Sequence, residues 1–335
     1  MKESLIQRLE HILQVNAPRE NKGSWGYTPS AQNIFSAEGF DILLNDKKFH
    51  FKPVANPDLN EALKAFHSIL AEDSQSEHAY NLSEIISLDS TSKFYWKNRA
   101  AGQGHVLAQR YLGDCFYNSE GVSQDYVKAV KWYQKAAEQG DDIAQYYLGY
   151  CYYDPEGVSP DSTEAAKWFR KAAEQGNVEA QYYLGDCYYY GDGVSQDSAE
   201  AVKWYRKAAN LGNANAKNKL GDCYYYGKGV LQNYTEAAEF YLEAAILNNI
   251  DAQYSLGNCY YYARGVPQDY AKAIRWYRAS ANEGHVGSQY HLGICYYYGY
   301  GISKDYAKAL NCYIKAAKQG SVESKNILKD LGYSF

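Results

Sequence analysis

Apolar residues around positions 180 to 210 recur at intervals of three and four, in two blocks separated by a glycine-rich segment. This spacing places apolar side chains on one face of an α-helix, so each block predicts an amphipathic helix. The first block carries Ala180, Leu184, Cys187 and Tyr188, and the second carries Val202, Tyr205, Ala208 and Ala209. Together they predict a helix-turn-helix unit, in which the paired alanines let neighbouring helices approach closely.

Glycine and polar residues mark where these two helices begin and end. Gly191 and Gly193 follow the first block, and glycine readily takes the positive φ that ends a helix or forms a tight turn. Asp197 stands at the N-cap of the second helix, where its carboxylate can accept from free N–H groups of the first turn. Gly212 stands where a C′ residue belongs. The N-cap position is filled in the other units by Asp125, Asp161, Asn233, Asp269 and Asp305.

This unit occurs six times, always at an interval of 36 residues. A Leu-Gly pair recurs at 112–113, 148–149, 184–185, 220–221, 256–257 and 292–293. Each pair is followed by a cysteine, at Cys115, Cys151, Cys187, Cys223, Cys259 and Cys295. A lone helix pair cannot bury its apolar face, whereas stacked pairs can. We therefore predict an all-α solenoid rather than two compact domains.

The recurring pattern LG-x-C-Y-Y-Y-G-x-G-V-x-x-D, with W-Y-x-K-A-A in the second helix, resembles the Sel1-like repeat, a relative of the tetratricopeptide repeat. The resemblance covers about residues 105–320. It implies a right-handed α-solenoid of six to seven repeats that binds other proteins on a concave face lined by first helices, and it implies no catalytic residues. Phe240 and Cys312 depart from the pattern by replacing tryptophan.

Three segments are expected: an N-terminal extension at 1–57, a degenerate capping repeat at 58–104, and the solenoid with a C-terminal capping helix at 105–335. FDILL and FHFKP in the extension suggest a β-hairpin, so the extension is expected to be α+β. Helices are expected near Leu5–Leu13 and over Leu59–Glu72. Residues 94–104 match the second helix of one more unit, and Val322–Leu331 predict the final cap.

The single cysteine of each repeat is expected to be a small buried apolar residue. Equivalent helices of successive repeats lie at least ~8–10 Å apart, whereas a disulfide needs Cα atoms within about 7 Å. Bridges between repeats are therefore not expected. No base or positive charge stands beside the cysteine to activate its thiol, and the spacing of zinc ligands is absent. His50, His67 and His78 are likewise scattered, so we expect neither a metal nor another cofactor.

The candidate binding site is a stripe of tyrosines on the first helices. Three successive helical residues span about 200°, so the three tyrosines of CYYY cannot all be core. Tyr188 shares the face of Leu184 and is expected to be buried, whereas Tyr189 falls on a second face, away from the partner helix. We predict partner binding through Tyr117, Tyr146, Tyr150, Tyr153, Tyr182, Asp186, Tyr189, Asp222, Tyr225, Tyr254, Tyr261, Tyr290 and Tyr297. Tyrosine is enriched at protein interfaces, although these rings could instead fill gaps between repeats.

The net charge and the sequence motifs indicate which classes of function are expected. The net charge is −5, and Asp114, Asp186 and Asp222 lie in the stripe, so a nucleic-acid partner is not expected. The carboxylates instead favour a basic protein or peptide. No P-loop, nucleophile elbow or HExxH motif is present, and we expect no enzymatic activity. The prediction is a scaffold or adaptor protein, with a toxin-neutralising immunity protein as the alternative. The stripe is also large enough to mediate a homodimer.

The N-terminal sequence MKESLIQRLEHILQVN lacks the apolar core and small-residue cleavage site of a signal peptide. No apolar run approaches the ~18 residues of a membrane span. We therefore expect a cytoplasmic protein with no membrane partner.

Overall fold

The computed structural model describes residues 40–44, 47–51, 90–154 and 159–333. Strands β1 (Phe40–Leu44) and β2 (Lys47–Phe51) pair antiparallel, with Phe40 opposite Phe51, as the sequence predicts. The helices expected near Leu5–Leu13 and over Leu59–Glu72 lie outside the described residues. The boundaries proposed for the N-terminal segments therefore stay predictions.

Fourteen helices occupy the described residues from position 90 onward, and consecutive helices pack against each other from the first to the third and from the fifth to the fourteenth. They are α1 (Ser90–Gly102), α2 (Val106–Asn118), α3 (Tyr126–Glu138), α4 (Asp142–Tyr153), α5 (Ser162–Glu174), α6 (Val178–Tyr190), α7 (Ser198–Asn210), α8 (Ala214–Tyr226), α9 (Tyr234–Ile246), α10 (Ile250–Tyr262), α11 (Tyr270–Asn282), α12 (Val286–Tyr298), α13 (Tyr306–Lys318) and α14 (Val322–Asp330). Repeats 1 to 6 are the successive pairs from α2–α3 to α12–α13. The all-α solenoid is confirmed, and α14 lies where the sequence predicts a final helix; its role as a cap stays a prediction.

The helices belong to two compact units. The described residues up to Leu148 form the N-terminal unit, and those from Gly149 onward form the C-terminal unit. Repeats 3 to 6 lie wholly within the C-terminal unit.

The predicted caps hold each second helix in place. Asp197 Oδ1 accepts from the backbone N–H groups of Ala199 and Glu200, both at 3.0 Å, and the five equivalent residues cap their helices in the same way. Gly212 has a φ of 93° after α7, in the left-handed region where glycine pays no Cβ penalty. These contacts explain why each turn keeps the same length.

The Leu-Gly pair sets the distance between the two helices of a repeat. A Cβ added at Gly185 would lie 2.5 Å from the Tyr205 ring, so only glycine allows α6 and α7 to approach this closely. Gly193 does the same between repeats, because a Cβ there would collide with the carbonyl of Ser162 at the start of α5. The glycines that stop helices in the sequence thus also fix how the repeats stack.

The repeated cysteines are buried, as predicted, and all seven cysteines of the chain are free thiols. Burial raises the pKa of the Cys187 thiol to about 12, and the same cause acts at Cys223, Cys259 and Cys295. These thiols therefore stay protonated near neutral pH and pack as small apolar side chains.

Candidate protein-binding face

The three tyrosines that end each first helix of repeats 3 to 6 occupy different environments. The first is packed: Tyr188, which was predicted to be buried, is only half-buried, whereas the equivalent Tyr224 and Tyr296 are buried. The second is half-buried. The third is exposed, by 52 % at Tyr190, 63 % at Tyr226, 50 % at Tyr262 and 54 % at Tyr298. We call these last four residues the exposed tyrosine row.

The predicted stripe does not simply face away from the second helix. The Tyr189 ring lies 6.3 Å from the ring of Tyr205 on α7, and it meets the Tyr190 ring edge-on at 4.9 Å. Tyr225 and Tyr261 repeat this arrangement against the second-helix tyrosines of their own repeats. The middle tyrosine therefore supports the exposed one. Sequence reasoning missed the exposed row, although it is visible as the third letter of each YYY.

The carboxylates of the stripe accept hydrogen bonds from tyrosines inside the protein, and their part in binding a partner stays a prediction. Asp186 is only 6 % exposed, and its Oδ1 accepts from the Tyr205 hydroxyl at 2.6 Å. Asp222 accepts from Tyr241 at 2.8 Å. Burial raises the pKa of both carboxyls, although their tyrosine hydrogen bonds oppose this shift.

The remaining predicted tyrosines are half-buried and pack within their own units. In the N-terminal unit, the Tyr117 ring lies 6.4 Å from that of Tyr147, and Tyr146 and Tyr147 are 5.1 Å apart. In the C-terminal unit, Tyr150 and Tyr153 both meet Tyr183. The other contacts are Tyr182 with Tyr205, Tyr254 with Tyr277, Tyr290 with Tyr313, and Tyr297 with Tyr298. Every one of these residues therefore contributes packing, whatever it binds.

Basic side chains lie between the tyrosines of repeats 3 to 5, a feature that the sequence analysis did not identify. Lys219 Nζ donates to the Tyr190 hydroxyl at 2.8 Å. Lys228 lies 4.8 Å from the Tyr189 ring centre, and Arg264 donates to the Tyr225 hydroxyl. These cation–phenol contacts join neighbouring repeats and orient their tyrosines.

In repeat 6 a buried histidine takes the place of these basic side chains and contacts a tyrosine of the preceding repeat. His291 Nδ1 lies 2.9 Å from the Gly287 carbonyl oxygen and therefore carries the proton. Nε2 is then free to accept from the Tyr262 hydroxyl at 3.3 Å. Burial lowers the pKa of His291, so the neutral ring is the stable form.

A polar cavity of about 290 Å³ opens where repeat 4 breaks the stripe. Repeats 2, 3, 5 and 6 have tyrosine at the position that Asn218 fills in repeat 4. Tyr182 and Tyr254, the equivalent residues of the flanking repeats, both line the cavity together with Asn218. A shorter side chain at one repeat thus leaves a gap between two tyrosines.

Nowhere among the described residues do three His, Cys, Asp or Glu side chains gather in a way that could hold a metal ion. None of the described helices combines the length and apolar character that crossing a bilayer requires.

A family model described as Sel1 repeat matches the chain six times, at residues 106–141, 142–177, 178–213, 214–249, 250–285 and 286–321. No curated protein matches the chain. These six segments coincide with repeats 1 to 6 of the fold.

Solved structures give the same result. The chain is similar to c5321, a protective antigen of uropathogenic Escherichia coli with an SLR fold, with 37 % identity and a TM-score of 0.71 over 82 % of this chain. It spans only 59 % of that antigen's length. A Sel1 repeat protein from Oxalobacter formigenes is 30 % identical, with a TM-score of 0.69 over 83 % of this chain and 82 % of that one.

Immunity protein Pa5087 from Pseudomonas aeruginosa is 21 % identical, with a TM-score of 0.39 over 63 % of this chain and 82 % of that one. At that TM-score the likeness carries no argument about function.

Proposed function

The chain belongs to the Sel1 repeat family, and from that premise we propose that it is a non-enzymatic scaffold that holds a partner protein on the first-helix face of repeats 3 to 6. Proteins of this family are generally non-catalytic and bind other proteins. The observation that carries the proposal is the exposed tyrosine row.

The exposed tyrosine row has the properties of a binding surface. Its four side chains recur at one position of successive repeats, and each leaves about half of its surface in water. A tyrosine presents a large rigid area and a hydroxyl at low cost in conformational entropy, which is why tyrosines concentrate binding energy at interfaces. The half-buried tyrosines and the Lys219 and Arg264 contacts hold the row in position before a partner arrives, which lowers the entropy lost on binding.

The test is capture of partners from an extract of the organism that makes the protein. The triple variant Tyr190→Ser/Tyr226→Ser/Tyr262→Ser removes most of the row. The matched control Leu211→Ser/Ile246→Ser/Leu247→Ser removes three comparably exposed apolar side chains at the C-terminal ends of the second helices α7 and α9. We expect the wild type and the control to capture the same protein and the tyrosine variant to lose it. Equal capture by all three would refute the proposal.

The identity of the captured protein separates the narrower functions. A toxin whose activity the chain neutralises would make it an immunity protein, the alternative that the sequence suggested. A second copy of the chain would make the row a homodimer interface, which size-exclusion chromatography of the wild type and the tyrosine variant would also report.

A further inference from the structure

We propose that the cavity of repeat 4 is an anchor pocket for an arginine side chain of the bound partner; this inference rests on the proposed function and names the chemistry of one contact. The pocket exists because Asn218 and Lys219 replace the tyrosine pair that repeats 2 and 3 carry at these positions. A side chain supplied by a partner would fill the place of the missing ring.

The walls of the pocket suit a flat cation. Tyr182 and Tyr254 line it from the two neighbouring repeats, and a guanidinium binds favourably over a phenol ring within about 6 Å. Both tyrosines contact another ring: Tyr182 lies 6.1 Å from Tyr205, and Tyr254 lies 4.5 Å from His285, which itself lines the cavity. The pocket walls are therefore rigid before a ligand enters.

The charges of the lining favour a cation over an anion. Two carboxylates, Asp222 and Asp251, face one ammonium, that of Lys219. Burial lowers the pKa of His285, and the Asp251 carboxylate, 3.7 Å from its Nε2, opposes this shift. The Nδ1 atom accepts from the Ser288 backbone N–H at 3.0 Å, so the proton of the neutral ring lies on Nε2, towards Asp251.

The one ammonium in the lining is already engaged. Lys219 donates to Tyr190, and the charge of Asp186 acts on it as well. Burial raises the pKa of Asp222 and the nearby Asp251 adds to that shift, whereas the Tyr241 hydrogen bond and the charges of Lys219 and Lys228 oppose it. A guanidinium between the two carboxylates would offset both the burial of Asp222 and its repulsion by Asp251.

An unpartnered amide gives independent support. Asn218 lines the cavity at 9 % exposure, and its Oδ1 is buried without a hydrogen-bond partner in the described structure. Leaving such an acceptor unsatisfied costs stability. An arginine offers five N–H donors, and rotation of the Asn218 amide would present its buried Oδ1 to one of them while a carboxylate accepts from another.

The probe is Nα-acetyl-arginine amide, titrated into the ¹⁵N-labelled full chain and followed by NMR. The control probes are the citrulline analogue, which has the same shape without charge, and the glutamate analogue, which has the opposite charge. We expect saturable shifts at the Asn218 side-chain amide for arginine, with a dissociation constant on the order of millimolar for so small a ligand. The two control probes should not shift that signal at the same concentrations.

Two variants introduce residues that other repeats of this chain already have at the same positions. Asn218→Tyr removes the Asn218 reporter, so binding to this variant is followed at the side-chain amides of Asn215 and Asn249, which also line the cavity. It restores the tyrosine of the flanking repeats and should abolish the arginine-induced shifts there. Asp222→Asn copies Asn258, which accepts from Tyr277 at 2.7 Å in repeat 5, so its structural hydrogen bond should survive while arginine binds about 3- to 10-fold more weakly. Stronger shifts with the glutamate probe, equal shifts with citrulline, or binding that persists in Asn218→Tyr would each overturn the arginine pocket.

Failure of this inference differs from failure of the proposed function. If the arginine probe does not bind but the tyrosine triple variant still loses the partner, the scaffold function stands and the pocket is wrong. If the probe binds but capture does not depend on the exposed row, the pocket stands and the proposed binding face is wrong.

Discussion

The hydrogen bond from Tyr205 to Asp186 predicts different outcomes for two substitutions at one position. Asp186→Ala leaves the Tyr205 hydroxyl, which is fully buried, without its acceptor. An unsatisfied buried hydroxyl costs about 1–3 kcal/mol. Asp186→Asn keeps an acceptor and removes a buried charge, and Asn258 already fills this role for Tyr277 in repeat 5. We expect the asparagine variant to stay within about 1 kcal/mol of the wild type.

The assay is urea unfolding followed by far-UV circular dichroism, with the slopes compared to confirm that the same surface unfolds. A cycle with Tyr205→Phe isolates the bond, and we expect a coupling free energy of about 1.5–3 kcal/mol between hydroxyl and carboxylate. Equal destabilisation by alanine and asparagine at position 186, or no coupling with Tyr205→Phe, would refute the reasoning.

The same pair also gives a pH signature. Burial raises the folded-state pKa of Asp186 above its usual value of 3.8, against the opposing Tyr205 hydrogen bond. The folded protein therefore holds this proton more tightly than the unfolded chain does. The associated stability is fully present below pH 3.8 and is lost as the pH rises through the raised pKa. Relative to the wild type, Asp186→Asn should therefore gain stability as the pH rises above that value.

Three further predictions concern the repeat framework. Gly185→Ala would place a methyl group against the Tyr205 ring and should cost about 1–3 kcal/mol, seen as a lower urea midpoint; no change would mean that the two helices are not held at this spacing. Since burial lowers the pKa of His291, the unfolded chain binds its proton more readily, and the wild type should lose stability as the pH falls below about 6.5. His291→Gln should lack this component, and an unchanged pH profile would contradict it. A thiol reagent at pH 8 should label at most Cys312 in the native protein, because the other six thiols are buried; rapid labelling of all seven would contradict the packing.

Much of the fold could be predicted because the 36-residue period is visible in the amino-acid sequence. Caps such as Asp197 and turn glycines such as Gly212 act within a few residues of their own position, so a local pattern reveals them. The site was harder. A helical wheel gives the direction of Tyr189, but it cannot show that Tyr205, which lies in the next helix, packs against it. Consequently the sequence analysis selected the second tyrosine of each YYY segment in repeats 3 to 6, whereas the exposed tyrosine is the third.

The environment of the acidic side chains could not be predicted from the sequence either. The sequence could not show that Asp186 accepts from Tyr205, because the two residues stand 19 positions apart, beyond any local pattern. The gap in repeat 4 depends on the tyrosines of two neighbouring repeats together with the change at Asn218. Such features depend on how the repeats stack. The periodicity of the sequence predicts that the repeats stack, but it does not predict which side chains of neighbouring repeats come into contact.

The most direct test of the central claim is site-specific photocrosslinking in the organism that makes the protein. A photoreactive phenylalanine analogue replaces Tyr226, the most exposed residue of the row, and in a separate variant replaces Ile246, which is 65 % exposed at the end of α9. The account predicts that one partner protein crosslinks from position 226 and not from position 246. Crosslinking of the same partner from 246 alone would place the binding surface elsewhere and contradict the account.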